Sequence, residues 1–418
     1  MPNQKIFTTL NSVTHIKRTS VFQGTASLLP ASKSISNRAL IINALAGSKS
    51  SLHNLSDAND TQLMLRLVNS PDAVIDVEDA GTTMRFLTAY FAVTNQHKTM
   101  TGTERMKERP IGILVNALRM LGADVQYAGV EGYPPLTIKG FDRQKNDSIR
   151  IRGDVSSQFI SAIMMVAPLL PHGLILELEG KVGSRPYIEM TESIMQHFGV
   201  ACQVYEDKVT IAHQSYHPAE FTVESDWSAA SYWFAFAAMA EKAEILLPRL
   251  QLDSLQGDCV VVEIMDQLGV KAVLDHNGML KLTKKDAMKK LRWDFTDCPD
   301  LAQTIAVVCV AKGIPAHFTG LESLRIKETD RIAALQNELQ KIGGNLIEDD
   351  AENWRVIPST SLPSSASFKT YKDHRMAMAF APLATLMDVE IENPGVVKKS
   401  YPNYWNDVKS FGATLTEL

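Results

Sequence analysis

The sequence predicts an α/β protein of two similar halves that face each other across a cleft. Three observations carry that prediction. An amphipathic helix, a capping glycine and a short strand recur roughly every 70 residues. Between these copies lie second helices that are apolar nearly all round. A polar break near 224–228 leaves three copies on each side.

The first copy, TQLMLRLVNSPDAVIDV (61–77), ends its helix on a turn at 69–71. The next are IGILVNALRMLGADVQY (111–127) and PYIEMTESIMQHFGVACQVY (186–205). After the break come VVVEIMDQLGVKAVL (260–274), DRIAALQNELQKIGGNLIE (330–348) and YWNDVKSFGATLTEL (404–418). Gly122, Gly199, Gly269, Gly343 and Gly412 close the later five, where a left-handed residue ends a helix. The second helices are expected at 157–170, 229–240, 301–311 and 375–383, with strands at 174–178, 244–247 and 389–392. Helices without a polar face belong inside, so the amphipathic ones lie outside. Small-molecule sites commonly form between domains.

Composition fits a globular protein with sizeable buried cores. The chain has 418 residues, is 45% hydrophobic and 21% charged, and carries a net charge of −5. That balance argues against a nucleic-acid binder. The four cysteines, Cys202, Cys259, Cys298 and Cys309, have neither metal-ligand nor disulfide-framework spacing. No apolar run approaches a membrane span; the longest, 159–171, reads as a core helix. The N-terminus has Lys5 and polar residues but no apolar signal-peptide core. The expectation is a soluble cytoplasmic protein that binds no membrane.

Against this acidic background, cations stand at the starts of predicted helices: Lys33 and Arg38 at 34–46, Arg85 at 86–93, Arg109 at 111–121, Lys327 at 328–339 and Arg375 at 376–383. A helix N-terminus carries partial positive charge, so each such cation costs about 0.3–1 kcal/mol unless an anion lies between. Five cases predict a cleft for strongly anionic ligands, held open by repulsion until a ligand closes it.

Each motif also has a plainer reading. L-P-A-S-K-S-I-S-N-R (29–38) suits phosphate or carboxylate, or is a serine cap with surface cations. D-A-G-T-T-M-R (79–85) lets backbone N–H groups approach an anion at Gly81, or is a capped turn. R-M-K-E-R-P-I-G (105–112) is a dense positive cluster or a solvated loop. Ser156, Ser157 and Gln158 can bind phosphate or simply cap a helix. Asp300 is expected to cap the helix 301–311, and could serve as a weak general base kept ionised by nearby cations. In R-I-K-E-T-D-R (325–331), Lys327, Glu328 and Arg331 would share a helix face as an anion clamp or as a surface ion-pair network. In K-D-H-R-M-A-M-A-F (372–380), His374 and Arg375 abut an apolar helix, where an unpaired guanidinium would be expensive. The sum is a two-domain α/β enzyme that closes on small anions, with carboxyl and Lys groups for proton transfer and no metal site.

The segments S-K-S-I-S-N-R, R-M-K-E-R-P-I-G, V-S-S-Q-F, S-R-P-Y-I, K-E-T-D-R and D-H-R-M-A-M, in this order from about Gln23 to Pro402, closely resemble the 5-enolpyruvylshikimate-3-phosphate synthase family. The resemblance implies two domains, each of three βαβαββ-type units around inner helices (an inside-out α/β barrel), with the active site in the interdomain cleft. It implies a first domain over 32–225 and a second over 1–31 plus 226–418. It implies transfer of the enolpyruvyl group of phosphoenolpyruvate to the 5-hydroxyl of shikimate 3-phosphate, with release of phosphate after a tetrahedral intermediate. Motif by motif, it places Lys33, Ser34 and Arg38 on shikimate 3-phosphate, with Lys33 also touching phosphoenolpyruvate. Ser156, Ser157, Gln158 and Ser184 would hold the phosphate and ring, with Lys327 reaching the phosphate and Ser323 where an Asn often sits. Gly81, Arg109, Arg331, Arg375 and Lys399 would bind phosphoenolpyruvate, with His374 also on the substrate side. Asp300 would take the hydroxyl proton, and Glu328 with Lys33 would handle protons on the enolpyruvyl group. No metal or organic cofactor is implied, and a monomer is expected because the cleft is complete within one chain. The chain departs from the usual N-A-G-T-A-M-R-P at Asp79, Thr83 and Phe86. The sister enolpyruvyl transferase acting on UDP-N-acetylglucosamine usually carries a reactive Cys in a first-domain loop, whereas here the only Cys before the break is Cys202, on a predicted strand. A non-catalytic anion-binding relative is the other alternative.

Overall fold

A computed structural model describes residues 12–26 and 29–417. Lys5 and the rest of the segment read as lacking a signal peptide lie outside the described residues. Two separate buried clusters organise the chain. One gathers apolar residues between Ala31 and Val223. The other gathers Ile16 to Leu29 with Trp227 to Ala413.

Three helices pack together at the centre of the first cluster: Lys33–Leu45, Gly81–Val93 and Ser157–Val166. Their counterparts in the second are Trp227–Met239, Ala302–Ala311 and His374–Phe380. Every residue of Trp227–Met239 except Ser228 is buried, as a helix with no polar face requires. The amphipathic helices, among them Asn59–Leu67, Gly112–Leu121, Pro186–His197 and Arg331–Gln340, each bury one face. All five capping glycines have positive φ. At Gly122 an added Cβ would also lie 2.1 Å from the Arg143 carbonyl oxygen.

Sheets cover the inner helices. Val74–Asp76 runs parallel to Lys98–Thr101, which pairs antiparallel with Leu136–Phe141 and, beyond it, Ala123–Tyr127. The same order recurs with Ser148–Arg152, Leu174–Glu179, Lys208–Ile211 and Cys202–Val204. It recurs again with Leu291–Asp294, Ala316–Thr319, Trp354–Ile357 and Asn345–Glu348. In two further sheets the N-terminal residues complete the pattern. Val21–Thr25 runs parallel to Lys242–Leu247, and Val13–Ile16 sits between Asp388–Glu392 and Leu415–Glu417. The sixth sheet departs from a four-stranded βαβαββ unit. Among the described residues it holds only Ser51–His53 beside Glu220–Thr222. Its neighbouring segments are used in crossing between the clusters, where Ala31 and Ser225 form a two-way bridge. No helix among the described residues is long and apolar enough to cross a membrane.

Candidate active site

The starts of the inner helices from both clusters meet at one cleft. On the first side, Ser32 caps the helix Lys33–Leu45, so Lys33 projects from its first turn. The Lys33 backbone N–H donates to Asp226 Oδ2 at 3.2 Å, and its Nζ to Asp60 Oδ2 at 3.2 Å. Ser34 lines the cleft. Arg38 does not. It is buried one turn deeper, donating to Thr191 Oγ1 at 2.7 Å, Ser161 Oγ at 2.9 Å and the Tyr187 carbonyl at 3.3 Å. Its guanidinium lies over the Phe86 ring, and burial lowers it to about 10. The residue expected to touch substrate stands behind the wall and braces Tyr187, which lines it.

The second helix begins at Gly81, not near 86, so Arg85 lies in its second turn rather than ahead of it. Arg85 donates to the Gly81 carbonyl at 2.7 Å and sits over the Phe159 ring. Burial and the neighbouring Arg109 lower it to about 9. The Nε atoms of Arg85 and Arg109 are buried without a partner among the described residues. Gly81 lets the Arg109 guanidinium approach: a Cβ there would lie 2.6 Å from Nη1. Asp79, the departure from the family pattern, accepts from the Thr103 hydroxyl through its carboxylate and from Lys399 Nζ, at 2.9 Å, through its carbonyl. Thr83 donates to the Asp60 carbonyl at 3.3 Å, and Phe86 is fully buried.

Ser156 caps the third helix, Ser157 opens it, and Gln158 Nε2 donates to Thr82 Oγ1 at 3.1 Å. That bond joins two helix starts at the cleft wall. Ser184 is left-handed and donates its backbone N–H to the Thr296 carbonyl of the other side at 3.0 Å.

On the second side, Asp300 is not the cap of the following helix. It lies in the short turn Pro299–Leu301, and Leu301 precedes Ala302–Ala311 without a side-chain cap. Its carboxylate instead bridges Arg331 Nη1 at 2.9 Å and Arg375 Nη2 at 2.8 Å. Arg331 also meets Glu328 at 2.8 Å and Asp373 at 2.7 Å. The helix expected from 328 starts at Arg331, capped by Asp330. Lys327 is therefore extended, not on a helical face with Arg331. The ion pairs offset much of the repulsion expected between unscreened cations. Burial pushes Asp300 and Glu328 upward, but arginines and lysines overcome it. Arg375, Lys327 and Arg331 hold Asp300 well below the usual carboxylate range, and Arg331, Lys399 and Arg109 do the same for Glu328.

His374 lines the cleft with neither ring nitrogen hydrogen-bonded among the described residues, and burial holds it well below its ordinary value, so the ring is neutral. Ser323 also lines the cleft. Lys399 stands at its edge, 3.9 Å from Glu328, which lines the cleft. Sequence reasoning missed Asp60, Asp226, Ser228 and Tyr232 as lining residues. Asp226 had a signal, an acidic N-cap just before an apolar helix. Asp60 had none.

Cys202 is no candidate nucleophile, because burial pushes its thiol up to about 12. The arrangement can bind two small polyanions side by side, with ionised carboxylates and Lys33 at hand for proton transfer.

A family model described as EPSP synthase (3-phosphoshikimate 1-carboxyvinyltransferase) matches residues 17–70 and 66–408. A 3-phosphoshikimate 1-carboxyvinyltransferase of Bacteroides fragilis (strain YCH46) is 48% identical over 390 residues, covering 92% of this chain and 94% of its own. Its namesake in Cellvibrio japonicus (strain Ueda107) is 37% identical over 408 residues, covering 90% and 94%. The solved EPSP synthase of Acinetobacter baumannii superposes with a TM-score of 0.78 over 98% of this chain and 100% of its own; at 19% identity that likeness speaks for the fold alone.

Proposed function

Because the chain belongs to the EPSP synthase family, we propose that its cleft transfers the enolpyruvyl group of phosphoenolpyruvate to the 5-hydroxyl of shikimate 3-phosphate, releasing phosphate. The reaction serves aromatic amino-acid biosynthesis. The observation that carries the reading is the Asp300 carboxylate held between Arg331 and Arg375 on the cleft wall.

The hydroxyl oxygen attacks C2 of phosphoenolpyruvate while C3 takes a proton. The tetrahedral intermediate then loses the C3 proton and phosphate. Asp300 takes the hydroxyl proton. Alone it is a weak base, since its arginines stabilise the charge. Phosphoenolpyruvate's phosphate and carboxylate draw on the same arginines, which raises the proton affinity of Asp300 as the substrate seats. Glu328 and Lys33 exchange the C3 proton. Arg109, Arg331, Arg375 and Lys399, with the Gly81 backbone, hold phosphoenolpyruvate. Ser34, Ser156, Ser157, Gln158, Ser184 and Lys327 hold shikimate 3-phosphate, with Ser323 and His374 on the wall beside it. Arg38 acts through Tyr187. We take 32–225 as one domain and 1–31 with 226–418 as the other, and place the protein in the cytoplasm as a monomer, since both walls of the cleft come from one chain.

UDP-N-acetylglucosamine is not the favoured acceptor, because the 105–112 segment has no Cys and the Cys202 thiol is poorly ionised. Titration calorimetry for shikimate 3-phosphate and steady-state kinetics for phosphoenolpyruvate test the division of the cleft. Gln158→Ala is expected to weaken shikimate 3-phosphate binding, and Arg109→Ala to raise the KM for phosphoenolpyruvate instead. The opposite pattern contradicts the assignment.

A further inference from the structure

Behind Arg375 lies a buried acid that the reaction scheme above does not use. Asp258 sits in the short turn Gly257–Val260 and is 3% exposed. The Ser228 hydroxyl donates to its Oδ2, and Arg375 Nη2 donates to that same hydroxyl oxygen at 3.3 Å. A hydroxyl has one hydrogen. Spending it on Asp258 turns the oxygen's lone pairs toward the guanidinium. The turn is itself anchored: Gln256 Oε1 accepts from the Trp227 backbone N–H at 3.1 Å, and a Cβ on Gly257 would lie 2.8 Å from Pro186. The relay thus starts from a rigid block that includes the first turn of Trp227–Met239.

We propose that Asp258 is a positioning residue for phosphoenolpyruvate, holding the Arg375 guanidinium in place through Ser228 while Asp300 changes protonation. The inference rests on the reading that Arg375 binds phosphoenolpyruvate. Asp300 is its one carboxylate partner within ion-pair distance among the described residues, and Asp300 is also the proton acceptor. Once Asp300 is protonated, the charge holding Arg375 is gone. The Tyr232 hydroxyl at 3.3 Å is neutral. The Ser228–Asp258 relay keeps a fixed hydrogen-bond acceptor on the guanidinium whatever the protonation of Asp300. Asp300, Arg375 and Asp226 act on Asp258 from the facing elements, as do Tyr187, Cys259 and Cys298. Burial and the Asp300 charge raise its carboxyl to about 7, so it can take up a proton as well as give negative charge.

Steady-state kinetics on four variants of the full chain test the proposal. Asp258→Ala and Ser228→Ala should each raise the KM for phosphoenolpyruvate about fivefold, the size of one hydrogen bond, with the KM for shikimate 3-phosphate within about twofold. Asp258→Asn keeps an acceptor for the Ser228 hydroxyl and should recover most of the affinity lost in Asp258→Ala. Equal rises in both KM values, or no effect of Ser228→Ala, overturn the proposal. Ser228→Ala leaves the acid in place, so the test survives if Asp258→Ala does not fold. Arg375→Lys is the control for the underlying reading. It should raise the KM for phosphoenolpyruvate; a rise confined to shikimate 3-phosphate would overturn the site assignment itself.

Discussion

Asp300→Ala separates chemistry from binding. In the structure its carboxylate touches two guanidinium groups, Arg331 at 2.9 Å and Arg375 at 2.8 Å. Removing it takes away the proton acceptor, which as a general base is worth about 10²–10⁴ in turnover. Arg331 keeps Glu328 and Asp373, so its position holds. Among the described residues Arg375 keeps only neutral side-chain partners within hydrogen-bond reach, Tyr232 and Ser228. Breaking a buried pair costs about 3–5 kcal/mol. The low end applies, because only one of the two arginines loses its last close carboxylate. Both cations stay available to phosphoenolpyruvate, and a competing negative charge has gone. The expected result is therefore a turnover loss of about 10²–10⁴, with the KM for phosphoenolpyruvate unchanged or lower. Shikimate 3-phosphate affinity should stay within about threefold. Phosphate release gives turnover, and calorimetry gives affinity. Asp300→Asn, close in shape, should lose as much turnover. A variant that keeps its turnover and loses only affinity would refute the base assignment.

Three other outcomes follow from particular contacts. Gly81→Ala puts a methyl 2.6 Å from Arg109 Nη1 where ordinary contact needs 3.4 Å, so the guanidinium must move by about 0.8 Å. The KM for phosphoenolpyruvate should rise about tenfold or more with that of shikimate 3-phosphate unchanged, and a rise in the latter would contradict the geometry. Arg105 donates to the carbonyls of Lys327 and Glu328, both at 3.2 Å, across the cleft. Arg105→Ala should lower kcat/KM about five- to tenfold by freeing the segment that carries Glu328, and an unaffected kcat/KM would show that the bridge does not matter. Burial raises Asp258 from 3.8 to about 7, so folding takes up a proton. Its stabilising contribution is complete below 3.8 and lost as pH rises through about 7. Thermal unfolding should lose stability over that window in the parent relative to Asp258→Asn, and parallel curves would contradict the shift.

The fold class was legible because glycine caps and all-apolar helices are local signals. Helix starts were less so. Gly81, Thr82 and Thr83 are poor helix formers, so sequence places the start at Phe86, but burial of Gly81, Thr83 and Met84 in the first turn outweighs propensity. The polar run before Arg331 reads as helix from its Lys and Glu, whereas Asp330 caps and sets the true start. Partnerships across the chain were not legible at all. Lys33 meets Asp226 across 193 residues and Arg375 meets Ser228 across 147, and no local pattern encodes either. Arg38 shows the converse case: its motif is visible in the sequence, but only packing shows that the side chain turns away from the cleft.

The most direct measurement is phosphate release from phosphoenolpyruvate, with and without shikimate 3-phosphate, and with UDP-N-acetylglucosamine as the competing acceptor. Release that requires shikimate 3-phosphate is the predicted result. Release driven by UDP-N-acetylglucosamine, or none with either acceptor, would contradict the account.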